Sequence, residues 1–234
     1  MTDHQTLRAL LDRSRAILLD FDGPVCSIFG GYPASMIAAE LLNLLDARGV
    51  QLGDDVLTET DPMEVLRWPA TLGKPELTRE VEDALCRAEL LAAGSAIPEP
   101  YGREVIVAAR EAGKPVAIVS NNSAGAIEAY LDAHRLKQHI AYIAGRAYAQ
   151  PDRMKPNPEP IWRATTAVDV EPAAAVLIGD SLFDIEGAQN AGVPVIAYAN
   201  KPPKVQRFTN AHADIVLTSM GDIAAALLPS TRQR

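Results

Sequence analysis

The sequence predicts an α/β protein: a doubly wound (Rossmann-like) parallel sheet with an inserted all-helical cap. Three observations carry this. Short apolar runs at 16–19, 116–119, 175–178, 193–198 and 214–217 alternate with amphipathic helical stretches, as parallel strands with helical crossovers do. The runs are continuously apolar rather than alternating, which marks strands covered on both faces. Between residues 29 and 97 only helical periodicity recurs. The expected division is therefore a core of residues 1–28 and 98–234 and a cap of residues 29–97.

The elements follow in order. Leu7, Leu10 and Leu11 form a short helical stripe. Residues 16–19 are a buried strand that runs into Asp20-Phe21-Asp22-Gly23 and a turn. Pro33 opens a helix with Met36, Ile37, Leu41, Leu44 and Leu45 on its stripe and Gly49 past its end. Asp61-Pro62 starts another, and Trp68-Pro69 is expected to end or break it. Pro75 opens a third, closed by Gly94. Gly30-Gly31 and the turn cluster 98–102 are candidate hinges where the chain crosses into and out of the cap. A helix over 102–112 then precedes the strand at 116–119. The remaining expectations are a helix over 124–135, an apolar segment at 140–143, helices at 159–168 and 184–190, and frayed residues Thr231–Arg234.

The chain has 234 residues, of which 48% are hydrophobic and 22% charged, an ordinary globular composition. No apolar run approaches the roughly 18 residues of a membrane span. The first residues lack the basic-then-apolar order of a signal peptide, so a cytoplasmic location is expected. A net charge of −8 without a basic block disfavours nucleic acid and membrane surfaces. Cys26 and Cys86 make no disulfide framework and are read as packed residues, and the four histidines show no ligand spacing.

Chemistry-bearing residues gather at the ends of strand candidates. Asp20 and Asp22 sit two apart where open α/β sheets place ligands. Ser120-Asn121-Asn122-Ser123 precedes a helix, where hydroxyls and free N–H groups suit phosphate oxygens. Lys155 is held in a proline-stiffened approach, Met154-Lys155-Pro156-Asn157-Pro158. Gly179-Asp180-Ser181-Leu182-Phe183-Asp184 brings two more acids. Four carboxylates at two strand ends call for a hard cation, and Mg²⁺ is the natural one.

This set resembles the haloacid dehalogenase superfamily, in its phosphoglycolate phosphatase-like and β-phosphoglucomutase-like branch with a helical cap. The four family motifs occur in order as Asp20–Gly23, Ser120, Lys155 and Gly179–Asp184. The resemblance implies a Mg²⁺-dependent phosphatase acting on a small phosphorylated metabolite. Asp20 would be the nucleophile and Asp22 the proton donor and acceptor. Asp20, the Asp22 backbone carbonyl and Asp180 would hold the metal, with Asp184 behind them. Ser120, the Asn121 backbone and Lys155 would bind the phosphoryl group. Carbon–halogen hydrolases of the superfamily lack the second acid, so Asp22 favours phosphoryl transfer. Arg67, Trp68 and Lys74, around a break between cap helices, are the candidate specificity residues. Pro24 departs from the Thr or Val that family phosphatases carry after the glycine, and Cys26-Ser27-Ile28 replaces a later Asp. A phosphosugar mutase of the same fold and a catalytically weakened phosphate-binding module are the alternatives. A monomer or homodimer is expected.

Overall fold

The computed structural model describes residues 4–228; the frayed end expected at Thr231–Arg234 lies outside them. Helix α1 (His4–Arg13) leads into strand β1 (Ala16–Leu19) and a two-residue strand β2 (Cys26–Ser27). Four helices follow: α2 (Ala34–Ala47), the single turn α3 (Asp54–Leu57), α4 (Pro62–Thr71) and α5 (Pro75–Ala93). The chain returns through β3 (Ile97–Pro98), and then α6 (Gly102–Glu111), β4 (Val116–Val119), α7 (Ala124–Ala133), β5 (Ile140–Ala144) and α8 (Glu159–Ala167) alternate. The order continues with β6 (Ala175–Gly179), α9 (Leu182–Ala191), β7 (Val195–Tyr198), α10 (Pro202–Asn210), β8 (Ile215–Leu217) and α11 (Met220–Leu227).

Six strands form one parallel sheet in the order β5-β4-β1-β6-β7-β8. From β1 the chain steps to β4 and β5 on one side, then returns to β6 on the other. This reversal beside β1 is the topological switch point at which such sheets bind ligands, beyond the C-terminal strand ends. Side chains alternate across β1 as strand geometry requires. Ile17 and Leu19 enter one apolar cluster, Ala16 and Leu18 the other. The first cluster runs without interruption into α2, α4 and α5 through Ile37, Leu41, Val65, Leu66, Val81 and Leu85. The inserted helices thus share apolar packing with one face of the sheet. Each buried leucine there contributes about 1.5–3 kcal/mol of transfer free energy.

The two crossings lie side by side. β2 and β3 pair antiparallel, Cys26 opposite Pro98 and Ser27 opposite Ile97. Ile97 therefore belongs to a strand, at the end of an insertion expected to contain none.

Helix α4 corrects a second expectation. It is capped by Asp61, whose carboxylate accepts from the Met63 N–H at 2.8 Å, but it passes through Trp68-Pro69 to Thr71. Pro69 sits in the last turn, so its missing donor removes one backbone bond and leaves the rest of the helix intact. Helices α10 and α11 carry no expectation from the sequence, although Pro202 and Pro203 open the one and Ser219 caps the other. Among the described residues no helix is long and apolar enough to cross a membrane.

Candidate active site

Strand register assembles the site. Leu19 pairs with Ile118 on one side and Ile178 on the other. The next residue of each strand is Asp20, Val119 and Gly179, so Asp20, Ser120 and Asp180 leave adjacent strands at nearly one level. The Asp20 N–H donates to the Ile178 carbonyl at 2.9 Å and the Ser120 N–H to Ala144 at 3.1 Å, which anchors both loops to the sheet.

Lys155 is the hub. Its side chain is 2% exposed and its ammonium reaches Asp20 Oδ1 at 2.9 Å, Asp184 Oδ1 at 2.5 Å and the Val119 carbonyl at 2.9 Å. All three N–H donors are thereby used. Burial alone would lower its pKa, but Asp184 and Asp20 outweigh burial and hold it above the ordinary value. The Lys155 backbone exchanges two bonds with the Asn121 side chain, at 2.8 and 3.2 Å, so the phosphate-loop candidate and the lysine loop are tied. Ser120 Oγ donates to Asn122 Oδ1 at 3.1 Å.

Asp184 is fully buried. Its Oδ2 accepts from the Ser181 N–H at 3.0 Å and from Ser181 Oγ at 2.5 Å, closing a capping box at the start of α9. With Oδ1 on Lys155, both its oxygens have protein partners. Asp180 is held by Lys204, whose ammonium donates to Oδ2 at 2.6 Å and to the backbone carbonyl at 2.7 Å, and by Asn200 at 3.0 Å. Gly23 must be glycine here. Its φ is +110°, and a Cβ would stand 2.3 Å from Asp180 Cγ.

Asp22 Oδ1 accepts from the Ile28 N–H at 3.0 Å. The turn's other bonds run from Gly23 to Cys26 and from Val25 and Cys26 to Phe21. None needs a donor at residue 24, so Pro24 costs this turn no hydrogen bond. Cys26 is buried, and burial pushes its thiol upward, in keeping with a packed residue. Cys86 is half-buried and its thiol donates to Glu82 at 3.2 Å.

The acids share an excess of negative charge. Burial, reinforced by Asp184, pushes Asp20 up to about 8, against the pull of Lys155. Burial pushes Asp22 up to about 6, against the Ile28 N–H, and burial also raises Asp180. Oxygens of Asp20, Asp180 and Asp184 lie within 4.8 Å of one another. An all-carboxylate donor set whose acids resist ionisation fits a hard divalent cation.

A cavity of about 140 Å³ joins these groups. Asp20, Asp22, Ser120, Asn121, Lys155 and Asp180 line it together, with Phe29, Asp61 and Met63 from the inserted segment. The three expected specificity residues do not, and this is a correction. Arg67 donates to the Pro151 and Lys155 carbonyls at 2.8 and 3.1 Å and to Glu64, and so ties α4 to the lysine loop. Trp68 packs against the apolar cluster. Lys74 is exposed and lines a separate cleft with Arg48 and Glu80. Spacing on a helix told which residues face one way, but not which way the helix faces.

Sequence reasoning also missed a buried ion cluster behind the phosphate loop. Arg146, its side chain 0% exposed, binds Glu82 at 2.8 Å and Glu89 through two bonds at 2.9 and 3.0 Å. It also donates to the Asn121 carbonyl at 2.7 Å. Glu89 accepts from Asn122 Nδ2 and the Ser123 N–H at 3.0 and 3.1 Å. Glu82 and Glu89 lie seven apart on the largely apolar buried stripe of α5, which was the available signal. Lys204 had one too. The run Asn200-Lys201-Pro202-Pro203-Lys204 repeats the strand, proline, helix grammar that flagged Lys155.

Residues 94–198 match the family model described as haloacid dehalogenase-like hydrolase. The chain is 33% identical over 128 residues to a plasmid phosphoglycolate phosphatase of Cupriavidus necator, an alignment spanning 53% of each protein. It is 25% identical to a phosphoglycolate phosphatase of Photorhabdus laumondii over 93% of this chain and 94% of that one. The chain thus spans about half the length of the first relative and nearly all of the second. A solved structure of a predicted phosphatase from Clostridium acetobutylicum superposes with a TM-score of 0.70 at 15% identity, covering 91% of this chain and 97% of that one, which bears on the fold alone. Together these findings support a likeness to haloacid dehalogenase-like hydrolases, and to the phosphoglycolate phosphatases among them.

Proposed function

We propose that the chain is a haloacid dehalogenase-like, Mg²⁺-dependent phosphatase that cleaves a small phosphomonoester through an aspartyl-phosphate. The observation that carries the reading is the cavity in which the ends of three adjacent strands and the lysine loop present Asp20, Asp22, Ser120, Asn121, Lys155 and Asp180 together. Structural acids and caps have no reason to converge on one space.

In the first step an Asp20 carboxylate oxygen bonds to phosphorus and the ester P–O bond breaks. Asp22 gives its proton to the departing alkoxide, which leaves as the alcohol. In the second step Asp22 takes a proton from water, the water oxygen bonds to phosphorus, and the Asp20–phosphorus bond breaks to release phosphate. The Ile28 N–H bond fixes Asp22 for both transfers. Lys155 holds Asp20 in place, and its charge opposes the charge that builds on the phosphoryl oxygens, as do the Ser120 hydroxyl and the backbone at Asn121. Asp20, the Asp22 carbonyl and Asp180 would hold Mg²⁺, with Asp184 supporting Lys155. The metal would screen the repulsion between Asp20 and the incoming phosphate. The inserted residues 29–97 act as the cap that closes the site from water.

Phosphate release from a panel of small phosphomonoesters tests the reading. Release should require Mg²⁺, stop with chelator, and fall by at least ~10³-fold in Asp20→Asn. Release that is indifferent to Asp20→Asn overturns it.

A further inference from the structure

The wall that meets the leaving group tells what that group is. The leaving group departs beside its proton donor, Asp22; Asp61 acts on Asp22 electrostatically and lines the same cavity, with Phe29 and Met63 from the same inserted segment. No lysine or arginine other than Lys155 lines the cavity. The nearby cations are already engaged. Arg67 serves Glu64 and two carbonyls, Arg146 serves Glu82, Glu89 and Asn121, and Lys204 serves Asp180. Lys155 has used its three donors.

Asp61 is built into this wall rather than free to swing away. Its carboxylate caps α4 through the Met63 N–H, and its own N–H donates to Glu59 at 2.8 Å. A fixed carboxylate beside Asp22 repels a carboxylate or second phosphate on the substrate. Arg67, the cation whose charge reaches Asp61, spends its donors on Glu64 and two carbonyls. It accepts hydrogen bonds from a hydroxyl or an ammonium. Phe29 and Met63 offer apolar surface to the carbon chain.

We propose, resting on the phosphatase reading, that the substrate is the phosphomonoester of an alcohol that carries a hydrogen-bond donor, hydroxyl or ammonium, and no second anion. Asp61 is the residue that selects it.

The test is equilibrium binding by calorimetry to Asp20→Asn, in the presence of Mg²⁺. The probes are O-phosphoethanolamine and glycerol phosphate against phosphoglycolate and pyrophosphate. The first pair should bind at least ~10-fold more tightly than the second. Adding Asp61→Asn should shrink that ratio to less than ~3-fold, chiefly by weakening O-phosphoethanolamine. Asn is itself a good N-cap, so this variant keeps α4. Equal or tighter binding of phosphoglycolate or pyrophosphate overturns the inference, as does a ratio that Asp61→Asn leaves unchanged. Turnover is judged separately, by phosphate release from the panel of small phosphomonoesters in the wild-type protein. Selective binding without that release refutes the phosphatase reading while the selectivity of the wall stands. Release without selective binding does the reverse.

Discussion

Arg146→Met isolates what the buried ion cluster does. The guanidinium has no exposed side-chain surface, and it holds two carboxylates that are themselves 2% and 0% exposed. Burial alone would lower its pKa; Glu89 and then Glu82 outweigh it and hold it above the ordinary value, so the arginine stays charged at any working pH. Removing it leaves two carboxylates without a cation in a dry interface. Breaking one partner from a buried ion pair costs ~3–5 kcal/mol. That is a large part of the ~5–15 kcal/mol that keeps a domain folded. At ~2–4 °C per kcal/mol for a chain of this size, the melting temperature should drop by ~6–20 °C. Urea unfolding should show a lower midpoint at constant m. The triple variant Arg146→Met, Glu82→Gln, Glu89→Gln should recover most of the loss, because it removes the uncompensated charge with the cation. A single variant that costs less than ~1 kcal/mol, or a triple variant no more stable than the single, refutes the reasoning.

Three further perturbations follow from the same geometry. In metal-free protein with chelator, Asp22 binds its proton more tightly folded than unfolded, since its pKa rises from 3.8 to about 6. The folded state then holds more protons, so stability falls as pH rises from about 4 and levels off above about 6 for this residue. Asp22→Asn keeps an acceptor for Ile28 and should stabilise metal-free protein by up to ~3 kcal/mol at pH 8 and not at pH 4; a flat pH profile identical in both proteins sinks this. Gly23→Ala should cost ~2 kcal/mol or more in unfolding experiments and abolish phosphate release, because its Cβ collides with Asp180, whereas Gly49→Ala, with φ +70° and open space, should cost only the ~1–2 kcal/mol of left-handed backbone and keep activity. Arg67→Ala should lower stability by ~1–3 kcal/mol through two lost carbonyl bonds, and leave the ratio between anionic and non-anionic esters unchanged in the binding assay.

Most of the fold was legible because its signals are local. Each sheet strand is an apolar run bounded by turn residues, and each helix stripe repeats within four residues. Capping and proline signals were equally local, and they misled only at Pro69, where a helix already near its end absorbed the ring. The crossing ribbon was not legible. Two residues on each side, Cys26-Ser27 and Ile97-Pro98, are too short to carry a period. The last two helices have start signals but lacked a reason to be read as helices until α11 was seen packed on α1 and α6.

The site divides along the same line, and the division bears on specificity. Asp20, Ser120 and Asp180 were found because each directly follows an apolar run, so one sheet register brings them together. The placements that escaped the sequence arise from contacts between distant segments: Asp61 with Asp22, Arg67 with Pro151 and Lys155, Arg146 with Glu82 and Glu89. Charge type alone pointed to Arg67 and Lys74 as anion readers. The structure gives Arg67 to backbone carbonyls and Lys74 to another cleft, and puts a carboxylate on the wall instead. A phosphatase core already supplies the cations that a phosphate needs. A second anion on the substrate needs one more cation, and the inserted segment supplies an acid at that place. The sign of that one side chain, and not the identity of the catalytic residues, separates this cavity from one that reads a carboxylate or a diphosphate.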